Sequence, residues 1–145
     1  GNYTFNYATR SAKIFTGLTY ILITACIVWT IGVLVPFINV HIDTHLDSNK
    51  LTVSAAIYSS EIYFDDIEEV QLLDELPDDD FVRINGGATD EYLIGHFKSS
   101  TYGKCELYVY ADSYPIIMIK TRDEVIFMNT RDSDDTYSIF ESIHS

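Results

Sequence analysis

Residues 14–40 carry no charged side chain, and that run constrains the rest of the chain more than any other feature. It reads IFTGLTYILITACIVWTIGVLVPFINV, with Lys13 on one side and His41 and Asp43 on the other. A bilayer core of about 30 Å needs about 20 apolar residues in a helix. At about 1.5 Å per residue, residues 14–35, which stop before Pro36, would cover about 33 Å. A core helix of a water-soluble domain shows a polar face. Here the non-aliphatic positions, Thr16, Gly17, Thr19, Thr24, Cys26, Thr30 and Gly32, are small. Their hydroxyls can return to the helix's own backbone, and small residues let helices approach closely in lipid. A secretory leader has an apolar stretch of only about 7–15 residues and a small-residue cleavage site. This run is longer and ends in Val-Pro-Phe-Ile. Residues 14–37 are therefore predicted to form a transmembrane helix, with residues 1–13 as its N-terminal flank.

Orientation follows from the flanking charge. Arg10 and Lys13 precede the span, and only Lys50 follows closely. Excess Lys and Arg marks the cytoplasmic side. The expectation is a single-pass protein of the cell membrane whose soluble part, residues 41–145, is extracytoplasmic. The chain opens on Gly1 rather than Met, and a further span upstream would invert that orientation.

The soluble part is strongly acidic. All 22 acidic residues fall after Val40, against seven basic ones, Lys50, Arg83, Lys98, Lys104, Lys120, Arg122 and Arg131, a formal charge of −15. Such a surface repels phosphate backbones and anionic headgroups. Nucleic acid is excluded as a partner on this reading, and phosphoinositides are disfavoured; cations or a basic protein remain. Ten of the acids lie in residues 61–80 with no Lys or Arg among them. Asp78-Asp79-Asp80 lacks the D-x-[DN]-x-[DN]-G-x5-E spacing of a calcium loop, and is expected to be a solvated acidic loop.

After residue 40 the pattern is of short strands separated by turns. Residues 41–47 alternate polar and apolar, and Asp47-Ser48-Asn49 is a turn cluster. Strands are predicted at 51–58 and 61–64, with Ser59-Ser60 connecting them. Residues 67–73 fit either a bulged strand or a helical turn. Further strands are predicted at 81–85, ended by Gly86-Gly87, and at 93–98, 104–110, 115–121 and 125–129. Then the period changes. Asp132-Ser133-Asp134-Asp135 supplies capping side chains and negative charge for a helix start. Tyr137, Phe140 and Ile143, with Ile139, make an apolar stripe suited to cover the open end of a bent sheet.

Seven or more antiparallel strands followed by one helix is the element order of a pleckstrin-homology (PH)-like fold. Several local features carry a closer resemblance: Ile62, Ile67 and Val70, then Leu76-Pro77, Arg83-Ile84-Asn85-Gly86 and Gly95-His96-Phe97. Tyr102-Gly103, Pro115-Ile116-Ile117-Met118-Ile119, and Asn129 followed by Thr136 continue it. Over residues 41–145 the sequence resembles bacterial PH-like domains attached to membrane helices. The resemblance implies a mainly β fold: a transmembrane helix, then a PH-like antiparallel β-barrel or sandwich with a C-terminal capping helix. Members often carry a pair of membrane helices, where this chain shows one. The resemblance implies no common activity and no site residues. The glycines and Asn129 read as fold-making residues that serve turns and bulges.

One constellation could carry chemistry. His41, Asp43, His45 and Asp47 share one face of the first strand, and two imidazoles with two carboxylates could bind a divalent cation such as zinc. The same face is also what a half-solvated edge strand shows. His96, between Gly95 and Phe97, reads as a packed or surface histidine. No G-x-S-x-G, Walker-type or G-x-G-x-x-G motif occurs, and no cofactor is expected. Cys26 lies in the span and Cys105 in a strand, so they do not pair. Tyr108 and Tyr110 share a strand face; they are expected in the core with their hydroxyls at its rim, although exposed tyrosines could instead anchor a partner. The functional expectation is a non-enzymatic, membrane-tethered module that recognises a protein or peptide, most readily through a strand edge. The alternative is a metal-ion or pH sensor close to the membrane, using His41, Asp43, His45 and Asp47.

Overall fold

A computed structural model describes residues 9–144; of the flank 1–13, residues 1–8 lie outside it. The chain divides into two units after Asn39. The first holds α1 (Arg10–Ile38), capped by the Thr9 hydroxyl, which accepts from the Ala12 amide at 3.2 Å. Residues 17–35 are all exposed, Trp29 at 72%. The helix is long and apolar enough to cross a membrane. The Thr19 and Thr30 hydroxyls donate to the carbonyls of Phe15 and Cys26, at 2.9 and 2.8 Å. Pro36 does not end the helix, which runs on to Ile38. Proline removes only one backbone donor, and at the last turn little helix remains to be broken.

The second unit contains two sheets and a helix. A three-stranded antiparallel sheet is built from β1 (Ile42–Leu46), β2 (Lys50–Ala55) and β3 (Tyr58–Tyr63), in that order. A 3-10 turn, Phe64–Asp66, leads to β4 (Ile67–Leu73). With β5 (Val82–Ala88), β6 (Tyr92–Ser99), β7 (Gly103–Tyr110), β8 (Ile116–Thr121) and β9 (Val125–Met128), β4 forms a six-stranded sheet of order β4-β8-β9-β7-β6-β5. The chain ends in α2 (Ser133–His144). The architecture is the expected mainly β sandwich with a C-terminal helix. One pairing is not antiparallel: β9 lies parallel to β7, inserted between it and β8.

Two strand boundaries differ from the sequence reading. The β2–β3 turn is Ala56-Ile57, with Ala56 at φ +54°, and Ser59 and Ser60 are inside β3. Two consecutive serines resemble a turn, but the Ser60 side chain is buried, while Ile57 is 67% exposed at the tip. Strand β5 likewise runs through Gly86-Gly87 rather than ending there. Opposite it, Gly95 adopts φ +111° and pairs with Gly86. A Cβ on Gly86 would lie 2.1 Å from the Ile94 carbonyl oxygen, and one on Gly95 would lie 2.4 Å from that of Asn85. The two backbones meet where neither residue can carry a side chain. Segment 67–73 resolves as a strand with its register irregularity between Ile67 and Glu69.

Strand register assigns the two faces of the large sheet. Phe97 pairs with Cys105 and Leu93 with Val109 on one face, where Phe97, Leu107 and Phe127 belong to one packed cluster. The rings of Phe81 and Tyr102 meet Phe127 edge-on, at 5.7 and 5.5 Å. The other face carries Ile94, His96, Lys98, Lys104, Glu106 and Tyr108, and strand β3 packs over part of it. Leu51, Val53 and Ile62 are at most 2% exposed, and each contributes about 1.5–3 kcal/mol by leaving water.

The last helix starts as its aspartates suggest, with the Asp134 amide donating to the Asp132 carboxylate at 2.9 Å. Its packed side is Thr136, Ile139, Phe140 and Ile143, and it lies against β4 and β8. Tyr137, placed in the stripe by sequence, is 46% exposed. Thr136 takes the inner position because its hydroxyl accepts from the Thr130 amide at 3.0 Å.

Asp79 corrects the reading of the Asp78-Asp79-Asp80 run as simply solvated. Its carboxylate accepts from the Ser99 hydroxyl, from the Asp80 amide at 2.8 Å and from the Thr101 amide at 3.2 Å. It staples the loop before β5 to the β6–β7 turn. The Ser99 hydroxyl bond, followed by the backbone donors, holds this carboxyl below its ordinary value of 3.8. Because the folded-state value is depressed, the staple stabilises the fold above the ordinary value and is lost as pH falls through the lower, folded one. Asp79→Asn is therefore expected to flatten the acid limb of the stability profile, measured by thermal melts between pH 5 and 2, and to leave its shape near neutrality unchanged.

Candidate functional site

The four residues singled out on β1 pair two by two. His41 Nε2 lies 3.6 Å from Asp43 Oδ1, and His45 Nε2 lies 3.2 Å from Asp47 Oδ1. Alternation on an edge strand turns this face to solvent, and both imidazoles are more than 70% exposed. The same outer face carries the Lys50–Glu61 ion pair at 2.9 Å. Among the described residues, no group of three or more His, Cys, Asp and Glu side chains is placed to hold a metal ion.

A polar cluster that the sequence did not suggest lies between the sheets. The turn at residues 100–102 sets the β6–β7 register, and that register places His96 opposite Glu106. Glu106 is 7% exposed. One of its oxygens lies 3.2 Å from His96 Nδ1, and the other accepts from the Ser60 hydroxyl. Ser60 Oγ is also 2.6 Å from the Tyr108 hydroxyl. The Tyr58 ring meets His96 edge-on at 5.9 Å, and its hydroxyl donates to Asn85 Oδ1 at 3.0 Å. Five side chains from β3, β6 and β7, with Asn85 of β5, thus tie the small sheet to the large one.

The order of groups in this cluster speaks against nucleophilic catalysis. Activating a serine requires an imidazole against the hydroxyl and a carboxylate behind the imidazole. Here the carboxylate sits in the middle and Ser60 donates to it directly. Burial pushes the Tyr108 phenol up to about 12, and burial pushes the Cys105 thiol up to about 11. Both stay protonated at neutral pH. Burial, then the nearby Glu106 charge, raises Glu124. The cluster holds the fold; it is not arranged for turnover.

The tyrosines divide in the same way. Tyr108 and Tyr110 are buried, as their alternation predicts. The Tyr110 hydroxyl accepts from the Ile42 amide at 2.7 Å, and the Arg131 guanidinium lies 4.5 Å above its ring. Asn129, fully buried, ties the end of β9 to β7 and the loop beyond it. Its Oδ1 accepts from the Tyr110 amide at 2.7 Å, and its Nδ2 donates to the carbonyls of Tyr110 and Ser113 at 3.0 and 2.7 Å.

A family model described as Bacterial PH domain matches residues 42–136, from the first residue of β1 into α2. The chain belongs to that family. The match begins four residues after the apolar helix ends and spans all nine strands. Comparison with curated proteins and with solved structures finds no match. In this PH domain the sheet edges differ in what lies beside them. The β4 edge has α2 beside it, and the edges of the small sheet, β1 and β3, carry acidic residues. Strand β5 is the other end of the large sheet. Its Val82 and Ile84 are 63% and 64% exposed, and Ile84 sits at the register irregularity between Arg83 and Asn85.

Proposed function

We propose that this PH domain is a non-enzymatic, membrane-tethered module that binds a protein or peptide along β5. PH-like domains are generally non-catalytic, and the arrangement of Ser60, Glu106 and His96 fits that. One observation carries the reading: a terminal strand of the main sheet presents two large aliphatic side chains to solvent. Edge strands offer unpaired backbone donors and acceptors, which proteins usually protect with charge, proline or covering elements. An added strand would use those groups and cover Val82 and Ile84. The apolar helix Arg10–Ile38 supplies the membrane tether, and the basic residues ahead of it favour an extracytoplasmic domain.

The test is a photo-crosslinking side chain placed at Ile84 in the full chain in its own membrane. Discrete adducts are expected from Ile84 and not from Ser59, an exposed position on β3. Equal adducts from both positions, or none from Ile84, would refute the proposal.

A further inference from the structure

The sign of charge reverses on the ribbon that forms this edge. The domain holds 22 acidic residues, yet none lies in residues 81–88 or 92–99, the stretches that contain β5 and β6. Strand β7 has one, Glu106, which is buried and already bonded to Ser60 and facing His96. Three of the seven basic residues sit on the same three strands: Arg83, Lys98 and Lys104. All three are exposed, and the ion pairs among the described residues involve none of them.

Their placement is specific. Val82 pairs with Lys98, and Lys98 pairs with Lys104, so the three form one row on one face of the sheet. Two lysines directly opposite each other across strands repel, a local cost. Lys104 has the Glu124 charge near it, at the start of β9, whereas Lys98, nearer the edge, is in none of the ion pairs among the described residues. Arg83 lies next in sequence on the other face of β5, paired with Phe97. A strand added beside β5 would run about 4.8 Å from it and about 9.6 Å from β6. Carboxylates on that strand would reach Arg83 on one face. On the other, a glutamate could reach over Val82 to Lys98. Alternate aliphatic side chains would cover Val82 and Ile84.

We infer that β5 selects an extended, acidic and aliphatic peptide segment, held by backbone pairing at the edge and read by Arg83 and Lys98, with Lys104 adding positive charge behind them. This rests on the reading of β5 as the binding edge. The occupant is short, because carboxylates resume at Asp80 before the strand and at Asp90 and Glu91 after it. A longer acidic segment would meet repulsion at both ends. A membrane surface is the other anionic candidate. It is disfavoured because the site is a strand edge with aliphatic side chains between its cations, set in a domain of net negative charge.

The experiment uses the full chain in phosphatidylcholine nanodiscs. Fluorescein-labelled heptapeptides alternating Val with Glu, or Val with Lys, are titrated and followed by anisotropy. The Glu peptide is expected to bind at least about tenfold tighter than the Lys peptide, and to weaken as salt rises. The double variant Lys98→Glu/Lys104→Glu is expected to abolish or reverse that preference. The single variant Lys98→Glu replaces a repelling pair by an attracting one, so its melting temperature should hold or rise while Glu-peptide binding falls. That combination separates lost recognition from lost folding. Equal or tighter binding of the Lys peptide, no binding of either, or unchanged binding by the double variant overturns the inference. So does binding of phosphatidylserine vesicles by the chain, lost in the double variant, without any peptide binding. If crosslinks from Ile84 persist while the Glu peptide fails, the edge remains the binding surface and only its selectivity for acidic segments falls.

Discussion

Gly95→Ala is expected to lower the stability of the PH domain by roughly 3–5 kcal/mol, among the largest effects available to one methyl group. Two costs add. Gly95 has φ +111°, where an L side chain is strained by about 1–3 kcal/mol. The new methyl would also stand 2.4 Å from the Asn85 carbonyl oxygen and 2.6 Å from Gly86 Cα. Both obstacles are backbone, so they yield only if β5 separates from β6, and overpacking of this kind costs about 1–3 kcal/mol or more. For a domain of this size, each kcal/mol moves the midpoint by roughly 4–8 °C, which thermal unfolding followed by circular dichroism would read directly. Gly103→Ala is the control. Gly103 also has positive φ, +72°, but nothing lies within 4 Å of its added carbon, so only the conformational cost of about 1–2 kcal/mol remains. Equal losses at the two sites would show that the close approach of the strands contributes nothing.

Asn129→Ala is the second large effect, at about 3–5 kcal/mol. The side chain is fully buried and satisfies three backbone groups at once: one amide and two carbonyls. Removing it strands the Tyr110 amide and the Ser113 carbonyl, at about 1–3 kcal/mol for each unsatisfied group, and leaves the Tyr110 carbonyl only the longer bond from the Ser113 amide, at 3.3 Å. Asn129→Asp separates the contributions. It keeps the acceptor for the Tyr110 amide and loses both donors, while adding a charge to a buried site. It should therefore be no better than alanine at pH 7, and should recover partly in acid as the carboxyl protonates and regains one donor. Chemical denaturation at two pH values tests both statements. A loss under 1 kcal/mol for the alanine variant would mean that water replaces the side chain.

How much of this could be read from the chain depended on whether the signal was local. The long apolar helix, the 93–98 and 104–110 hairpin and the aspartate-led final helix each follow from periodicity and end signals that lie within the element. The Ala56-Ile57 turn did not, because its residues carry no turn chemistry while the neighbouring serines do. Ser60 is polar to meet a carboxylate from β7, a reason that exists only after the sheets pack, while Ser59 faces solvent. Strand β5 passes through Gly86-Gly87 for a similar reason: the glycines answer a close approach by β6 rather than a chain reversal. The turn at 100–102 alone would have placed His96 across from Glu106 and Lys98 across from Lys104. The partner of Glu106 on β3 would still have been invisible. The four-residue polar face on β1 was legible as a pattern, and the structure shows it as two separate imidazole–carboxylate pairs.

The position of β9 has a consequence for synthesis. It is the strand that joins β4–β8 to β7–β6–β5, and it precedes only a short turn and α2 in the chain. Until β9 has been made, the large sheet can exist only as two parts with an open seam, since the strand that fills the seam is the last of the nine in chain order. Successive hairpins cannot zip this sheet from one end to the other, and such non-local closure is slow. A stop codon or protease cut just before Val125 would cost the domain an inner strand of its large sheet rather than a frayed tail, and would leave β8 and β7 without the strand that joins them.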